Sequence, residues 1–263
     1  MLVLLLLAGC GPRPTPDGAR AVMLLTLDTF RADNLGSAGN PRTRTPHLDR
    51  LARRGIQWSG AVSPVPLTTP SHATILSGDV PGSHGVLKNR MVLKEDVPTM
   101  TEVFRAEGYR TGAFVSRSAV LAARFGLNQG FDHYEVIEPK DRPSHSDGPG
   151  TTRAARRWLK KHGGAGSFLW AHYFDAHIPY LPPVPLNRLY DPDYDGEFYL
   201  ADWPIQDHFR RNEVQQRDVD YMAALYASEV TFLDGCVGDL LRSEAARDAI
   251  ICVTADHGEG LWE

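Results

Sequence analysis

The chain has 263 residues, of which 42% are apolar and 23% charged, with a formal net charge of −4. That is enough apolar material for one large domain with a substantial core, and it excludes a disordered or fibrous protein. No basic excess offers a nucleic-acid surface, and no run of about 18 or more apolar residues predicts a membrane span.

The N-terminus carries an address. Residues 1–9 are a short apolar stretch ending in Leu7-Ala8-Gly9-Cys10, followed by Pro- and Gly-rich sequence to Gly18. Although it lacks the usual basic start, this looks like the end of a bacterial lipoprotein signal peptide, with Cys10 lipidated as the mature N-terminus. Residues 1–20 are therefore expected to be signal and linker, residues 21–263 the folded domain, and the location the bacterial cell envelope, with a lipid anchor as the sole membrane attachment. Cys236 and Cys252 have no metal-like spacing. Cys252 reads as a small core residue, and a disulfide between the two is an open option.

From Ala21 onward, strand-like runs alternate with helical patterns, which predicts an α/β fold with a mainly parallel sheet and helices on both faces. The first run, Ala21 to Leu27, reads as a buried strand. Pro46 to Arg54 is a helix stopped by Gly55, with Leu48 and Leu51 at helical spacing. Thr69 is expected to cap a helix that has Pro70 at its first position and Gly78 at its end. Thr99 and Glu102 form a capping box for a helix closed by Gly108, followed by a strand from Thr111 to Val115. Pro139 to Gly150 reads as an exposed loop, Thr152 to Lys161 as a helix and Ser167 to Tyr173 as a strand. The prolines between Ile178 and Leu186 predict a loop. A long helix falls within Val219 to Leu241, and Ala249 to Thr254 reads as a second buried strand.

Chemistry gathers at the ends of these elements. A helix starting near Thr68 would set its hydroxyl at an anion-attracting N-terminus, where free backbone N–H groups face an incoming phosphate or sulfate ester. The alternative is a plain capped surface helix. Asp28 follows the first strand and Asp256-His257 the last, and in open α/β sheets ligands collect beyond the carboxyl ends of strands. Two carboxylates and an imidazole there, with Thr68, suit one divalent ion: Zn or Mn, with Ca or Mg compatible. Taken singly, each has a structural reading: a helix cap for Asp28, a turn for Asp256, a polar packing residue for His257. His172, within an apolar strand, reads first as a satisfied core residue.

Five segments taken in order, Asp28-Thr29-Phe30-Arg31-Ala32-Asp33, Thr45 to Ala52, Pro66 to Gly78, His84-Gly85-Val86 and Asp256-His257-Gly258-Glu259, resemble the sulfatase family of the alkaline phosphatase superfamily. The resemblance runs from Ala21 to the last residue and implies an alkaline-phosphatase-like fold, with Asp28, Thr68, Asp256 and His257 at one metal ion. It further implies that the chain stops short of the family's C-terminal subdomain. His177, in His172-Tyr173-Phe174-Asp175-Ala176-His177, matches the family's ester-contacting His; Asp175 and His172 are weaker candidates. His72 stands where the family has Arg and is expected to touch Thr68 or the substrate. Arg31 is expected to help hold the carboxylates, or else to form a surface ion pair.

Three departures qualify the resemblance. Thr68 replaces the Cys or Ser that becomes formylglycine, and Thr cannot give that aldehyde; Thr29 replaces a second Asp; and Val115-Ser116-Arg117-Ser118 replaces Gly-Lys-Trp-His. The expected activity is metal-dependent hydrolysis of sulfate or phosphate esters on small molecules, glycans or lipids through a Thr nucleophile. The alternatives are a phospho-headgroup transferase at the cell surface and a non-catalytic anion-binding lipoprotein.

Overall fold

A computed structural model describes residues 18–116, 118–139, 147–196 and 214–261. Cys10, Arg117 and residues 140–146 of the expected loop lie outside the described residues. Five strands, β1 Val22–Leu27, β2 Arg110–Ser116, β3 His133–Ile137, β4 Ser167–Tyr173 and β5 Ile250–Ala255, form a sheet in the order β3-β2-β4-β1-β5. Every pairing is parallel. The helices are α1 Pro46–Arg54, α2 Thr68–Ser77, α3 Pro81–His84, α4 Met100–Ala106, α5 Ser118–Leu121, α6 Gly148–His162 and α7 Gln216–Leu241. None of the described helices is long and apolar enough to cross a membrane.

The near-continuous apolar runs of β1 and β4 are explained by burial on both faces, as a parallel sheet between helical layers requires. Alternate side chains feed separate cores. Met23, Leu25, Leu27, Leu169, Ala171 and Tyr173 pack with Leu48 of α1, Trp158 of α6 and Val230 and Leu233 of α7. On the other face Leu24, Ala113, Val115, Phe168 and Trp170 meet Ala73 and Leu76 of α2. Gly112 permits the closest helix approach, since a Cβ there would stand 2.6 Å from the Trp158 ring.

Several expectations need correction. β5 is an edge strand among the described residues, with Ile250 and Cys252 exposed; an apolar run alone does not tell an edge from a covered centre. Cys252 is therefore no core residue, Cys236 is the buried one, and both thiols are free. β3 went unread because five residues with His133 and Glu135 facing outward carry little periodicity. α6 begins at Gly148, four residues before the expected start: the Asp147 carboxylate accepts the Gly150 N–H, and Pro149 sits in the first turn. The Gly-Pro-Gly run that looks like loop is a packed helix start, since a Cβ on Gly148 would meet the Asp175 carboxylate at 2.8 Å. The Thr99–Glu102 capping box forms as expected.

Inside α7, Glu229 is buried and accepts the Leu181 N–H at 2.7 Å. Burial, then the nearby Asp175 carboxylate, pushes the Glu229 carboxyl well above the ordinary glutamate range. The folded state thus holds a proton to higher pH than the unfolded chain. The contribution is full below the unfolded value and lost as pH rises through the raised folded one. Glu229→Gln keeps an acceptor for Leu181 and removes the buried charge. It should raise the melting temperature at alkaline pH and flatten its decline as pH rises above the ordinary glutamate range, as measured by calorimetry.

Candidate metal centre and nucleophile

The carboxyl ends of β1 and β5 set the first two acids side by side. Residues Val22–Leu27 pair in register with Ile250–Ala255, so Asp28 and Asp256 leave the sheet at adjacent points. Ligand atoms of Asp28, Asp256 and His257 all lie within 4.8 Å of one another. The Thr68 hydroxyl, at the start of α2, is 3.4 Å from His257 Nε2. His257 Nδ1 donates to the Gly258 carbonyl at 2.8 Å, so in the neutral ring Nε2 carries the lone pair that faces this corner.

The electrostatics are those of a site short of positive charge. Asp28 and Asp256 are fully buried, and both Asp28 oxygens and Asp256 Oδ2 have no hydrogen-bond partner. Burial, then Asp256 and Glu259, pushes the Asp28 carboxyl well up, opposed by the nearby Thr68 hydroxyl, which is outside hydrogen-bond geometry. Buried acceptors without donors are costly, and a divalent cation meets that cost. Two carboxylates, an imidazole nitrogen and a hydroxyl form a hard-to-borderline donor set that fits Zn or Mn and is compatible with Ca or Mg.

The helix that begins at Thr68 departs from expectation. α2 starts at Thr68, its N-cap is Leu67, and no side chain caps it locally. Thr69 instead donates its hydroxyl to the Val120 carbonyl, while Asn89 Oδ1 accepts the Thr69 N–H. Pro70 has no N–H and the Ser71 N–H bonds to the Leu67 carbonyl. The Thr69 and Ser71 amides are thus already used, the first by the Asn89 side chain and the second by the helix's own Leu67 carbonyl.

His72 is fully buried, so it reaches Thr68 through the backbone and offers no surface to a substrate. Its Nδ1 donates to the Thr68 carbonyl at 2.8 Å, with Asp256 Oδ2 3.6 Å away. Burial lowers its pKa, opposed by Asp256. Arg31 does not reach the metal-site carboxylates by any of its described bonds. It grips Asp33 through Nε and a terminal nitrogen at 3.0 and 2.6 Å and donates to the Glu259 carbonyl at 3.0 Å. Arg31 thus laces the loop after β1 to the loop after β5. His177 lies beyond the carboxyl end of β4, with Nδ1 donating to the Ile178 carbonyl at 2.6 Å and its ring stacked on Phe174. It is not among the three clustered ligands. Asp175 accepts the Gly148 N–H and so anchors α6. His172 is less satisfied than expected: its Nε2 has no hydrogen-bond partner and lies 3.5 Å from Asp28 Oδ2.

Sequence reasoning missed Tyr226, whose hydroxyl donates to the Thr29 carbonyl and accepts the Arg31 N–H, both at 2.8 Å. Thr29 has φ 53°, the left-handed region that a β-branched residue rarely enters, and its N–H donates to Asp256 Oδ1. Nothing in the spacing of a residue nearly 200 positions away announces that contact. Tyr226→Phe should cost about 1–3 kcal/mol, the range for groups left unpaired in a buried network, by denaturant titration.

The sulfatase family model matches residues 20–263. The "Ulvan-active sulfatase" of Formosa agariphila is 36% identical over 271 aligned positions, covering 93% of this chain and 51% of the relative. The phosphonate monoester hydrolase of Agrobacterium radiobacter superposes with a TM-score of 0.73 at 17% identity, over 93% of this chain and 64% of that one. The C-terminal periplasmic domain of EcEptC from Escherichia coli, a complex with Zn, superposes with a TM-score of 0.70 at 15% identity, over 95% and 66%. The chain thus spans about half to two thirds of the length of these proteins, and the two structural likenesses show the fold.

Proposed function

This chain belongs to the sulfatase family, and from that premise we propose that it is a metal-dependent hydrolase of sulfate or phosphate esters that uses Thr68 as its nucleophile. One observation carries the reading: the Thr68 hydroxyl stands 3.4 Å from His257 Nε2, beside buried acceptors of Asp28 and Asp256 that lack donors. A divalent ion held by Asp28, Asp256 and His257 would supply Lewis acidity, easing loss of the Thr68 proton and neutralising charge on the ester. The Thr68 oxygen, its proton released to solvent, attacks the sulfur or phosphorus as the bond to the leaving alkoxide breaks, and a protonated His177 donates its Nε2 proton to that alkoxide. Water displaces the Thr68 ester in a second step and restores the hydroxyl.

Thr68 also separates this chain's chemistry from formylglycine hydrolysis, because a threonine side chain yields no aldehyde. A phospho-headgroup transferase would share the first step and differ only in the acceptor of the second. Glycan and lipid esters are candidate substrates. The expected address is the cell envelope through lipidated Cys10, and Cys10→Ser should then release the protein from the membrane fraction of a bacterial host.

The deciding experiment is a panel of sulfate monoesters, phosphate monoesters and phosphodiesters, run on wild type and Thr68→Ala. Wild type should turn over at least one class. Thr68→Ala should lose nearly all of that turnover with its melting temperature little changed, and Thr68→Ser should keep part of it. Wild-type turnover in Thr68→Ala would remove the nucleophile assignment. Metal content measured on purified wild type distinguishes an enzyme of this design from a metal-free anion-binding protein.

A further inference from the structure

Behind the metal centre, Thr26 Oγ1 is the meeting point of three rings. It lies 2.9 Å from Trp170 Nε1, 3.0 Å from His172 Nδ1 and 3.1 Å from His72 Nε2. All four residues are fully buried. The meeting is set by register, since Thr26 of β1 is paired with His172 of β4, and by α2, which lays His72 over the same face of the sheet.

Counting protons decides how the three bonds run. An indole N–H only donates, so Trp170 takes one lone pair of Thr26. His72 Nδ1 faces the Thr68 carbonyl, an acceptor, and must carry a proton. In the neutral ring His72 Nε2 is then an acceptor and takes the single Thr26 hydroxyl proton. The second lone pair of Thr26 receives the His172 Nδ1–H. That leaves the lone pair of His172 on Nε2, which has no hydrogen-bond partner and lies 3.5 Å from Asp28 Oδ2. Two acceptors facing each other in a buried corner repel unless a proton or a cation shares the space.

We propose that Thr26 is a positioning residue of the metal centre: it fixes the tautomers of His72 and His172, so that His72 holds the Thr68 backbone while His172 Nε2 and Asp28 together present acceptor atoms alone to the cation. The inference rests on the metal reading given above. It adds a residue two positions before Asp28, on the helix-covered face of β1, that touches neither substrate nor ion. Outer-sphere groups that orient ligands characteristically govern metal affinity by about 10–100-fold.

The test uses the wild-type chain, Thr26→Val and Thr26→Ser, with Zn²⁺ and Mn²⁺ affinities measured by chelator competition. Imidazole ¹⁵N NMR assigns the histidine tautomers. Thr26→Val, which keeps the shape and loses the hydroxyl, should weaken binding of at least one ion by about tenfold or more, and Thr26→Ser should restore it. In wild type, His172 should show the Nδ1–H tautomer, a readout that needs no variant to fold and that a purely packing role would not move. An Nε2–H tautomer for His172, or Thr26→Val binding both ions as wild type does, overturns the proposal. Wild type binding neither ion overturns the metal reading itself, and this inference with it.

Discussion

Two buried carboxylates with too few donors set the terms for everything around them. Asp28 and Asp256 arrive together because β1 and β5 are parallel neighbours in register, whose ends leave the sheet at adjacent points. The cost of that meeting, several kcal/mol for each unpaired buried ion, falls on the rest of the fold. The fold answers by bracing the corner: Thr29 and His257 give backbone N–H groups to Asp256 Oδ1, while Ser71 Oγ donates to the Asp256 carbonyl. Asp28 receives no such help for either oxygen. A braced backbone around Asp256 beside an Asp28 side chain without hydrogen-bond partners is the arrangement that the proposed cation requires.

The bracing also accounts for the strained turn at Thr29. A positive φ at a β-branched residue costs of order 1–3 kcal/mol and persists only where surrounding bonds outweigh it. Here Tyr226 binds both sides of the turn, and Arg31 ties it to the loop carrying His257. In this chain Thr29 serves as a backbone corner, with its N–H spent on Asp256.

Most of the sheet was legible because buried parallel strands and capped helices leave local marks. Ser167–Tyr173 and Pro46–Arg54 are bounded in the sequence as they are in space. The early start of α6 and the edge position of β5 were not, since each depends on what packs against the segment rather than on its own pattern. The same divide runs through the site. Asp28, Asp256, His257 and Thr68 sit at element ends and could be read there. Thr26, Asn89 and Tyr226 act across distances of 20 to nearly 200 residues, and only register and helix placement bring them in. Arg31 and His72 show a third case, where the residue was found and its task was not: one ties two loops together, and the other turns inward to the backbone.

Those two reassignments bear on how an anionic ester would be held. A helix N-terminus was the first explanation for attraction at Thr68, but the Thr69 amide is taken by Asn89, Pro70 has none, and the Ser71 amide is inside the helix ladder. The side chains expected nearby are committed as well, Arg31 to Asp33 and the Glu259 carbonyl, and buried His72 to the Thr68 carbonyl and Thr26. Among the described side chains, this leaves the ion proposed at Asp28, Asp256 and His257 as the candidate source of short-range pull on a sulfate or phosphate at Thr68. Under the proposed mechanism that ion would bind and activate the ester together, so a loss of metal affinity would weaken both its capture and the attack on it.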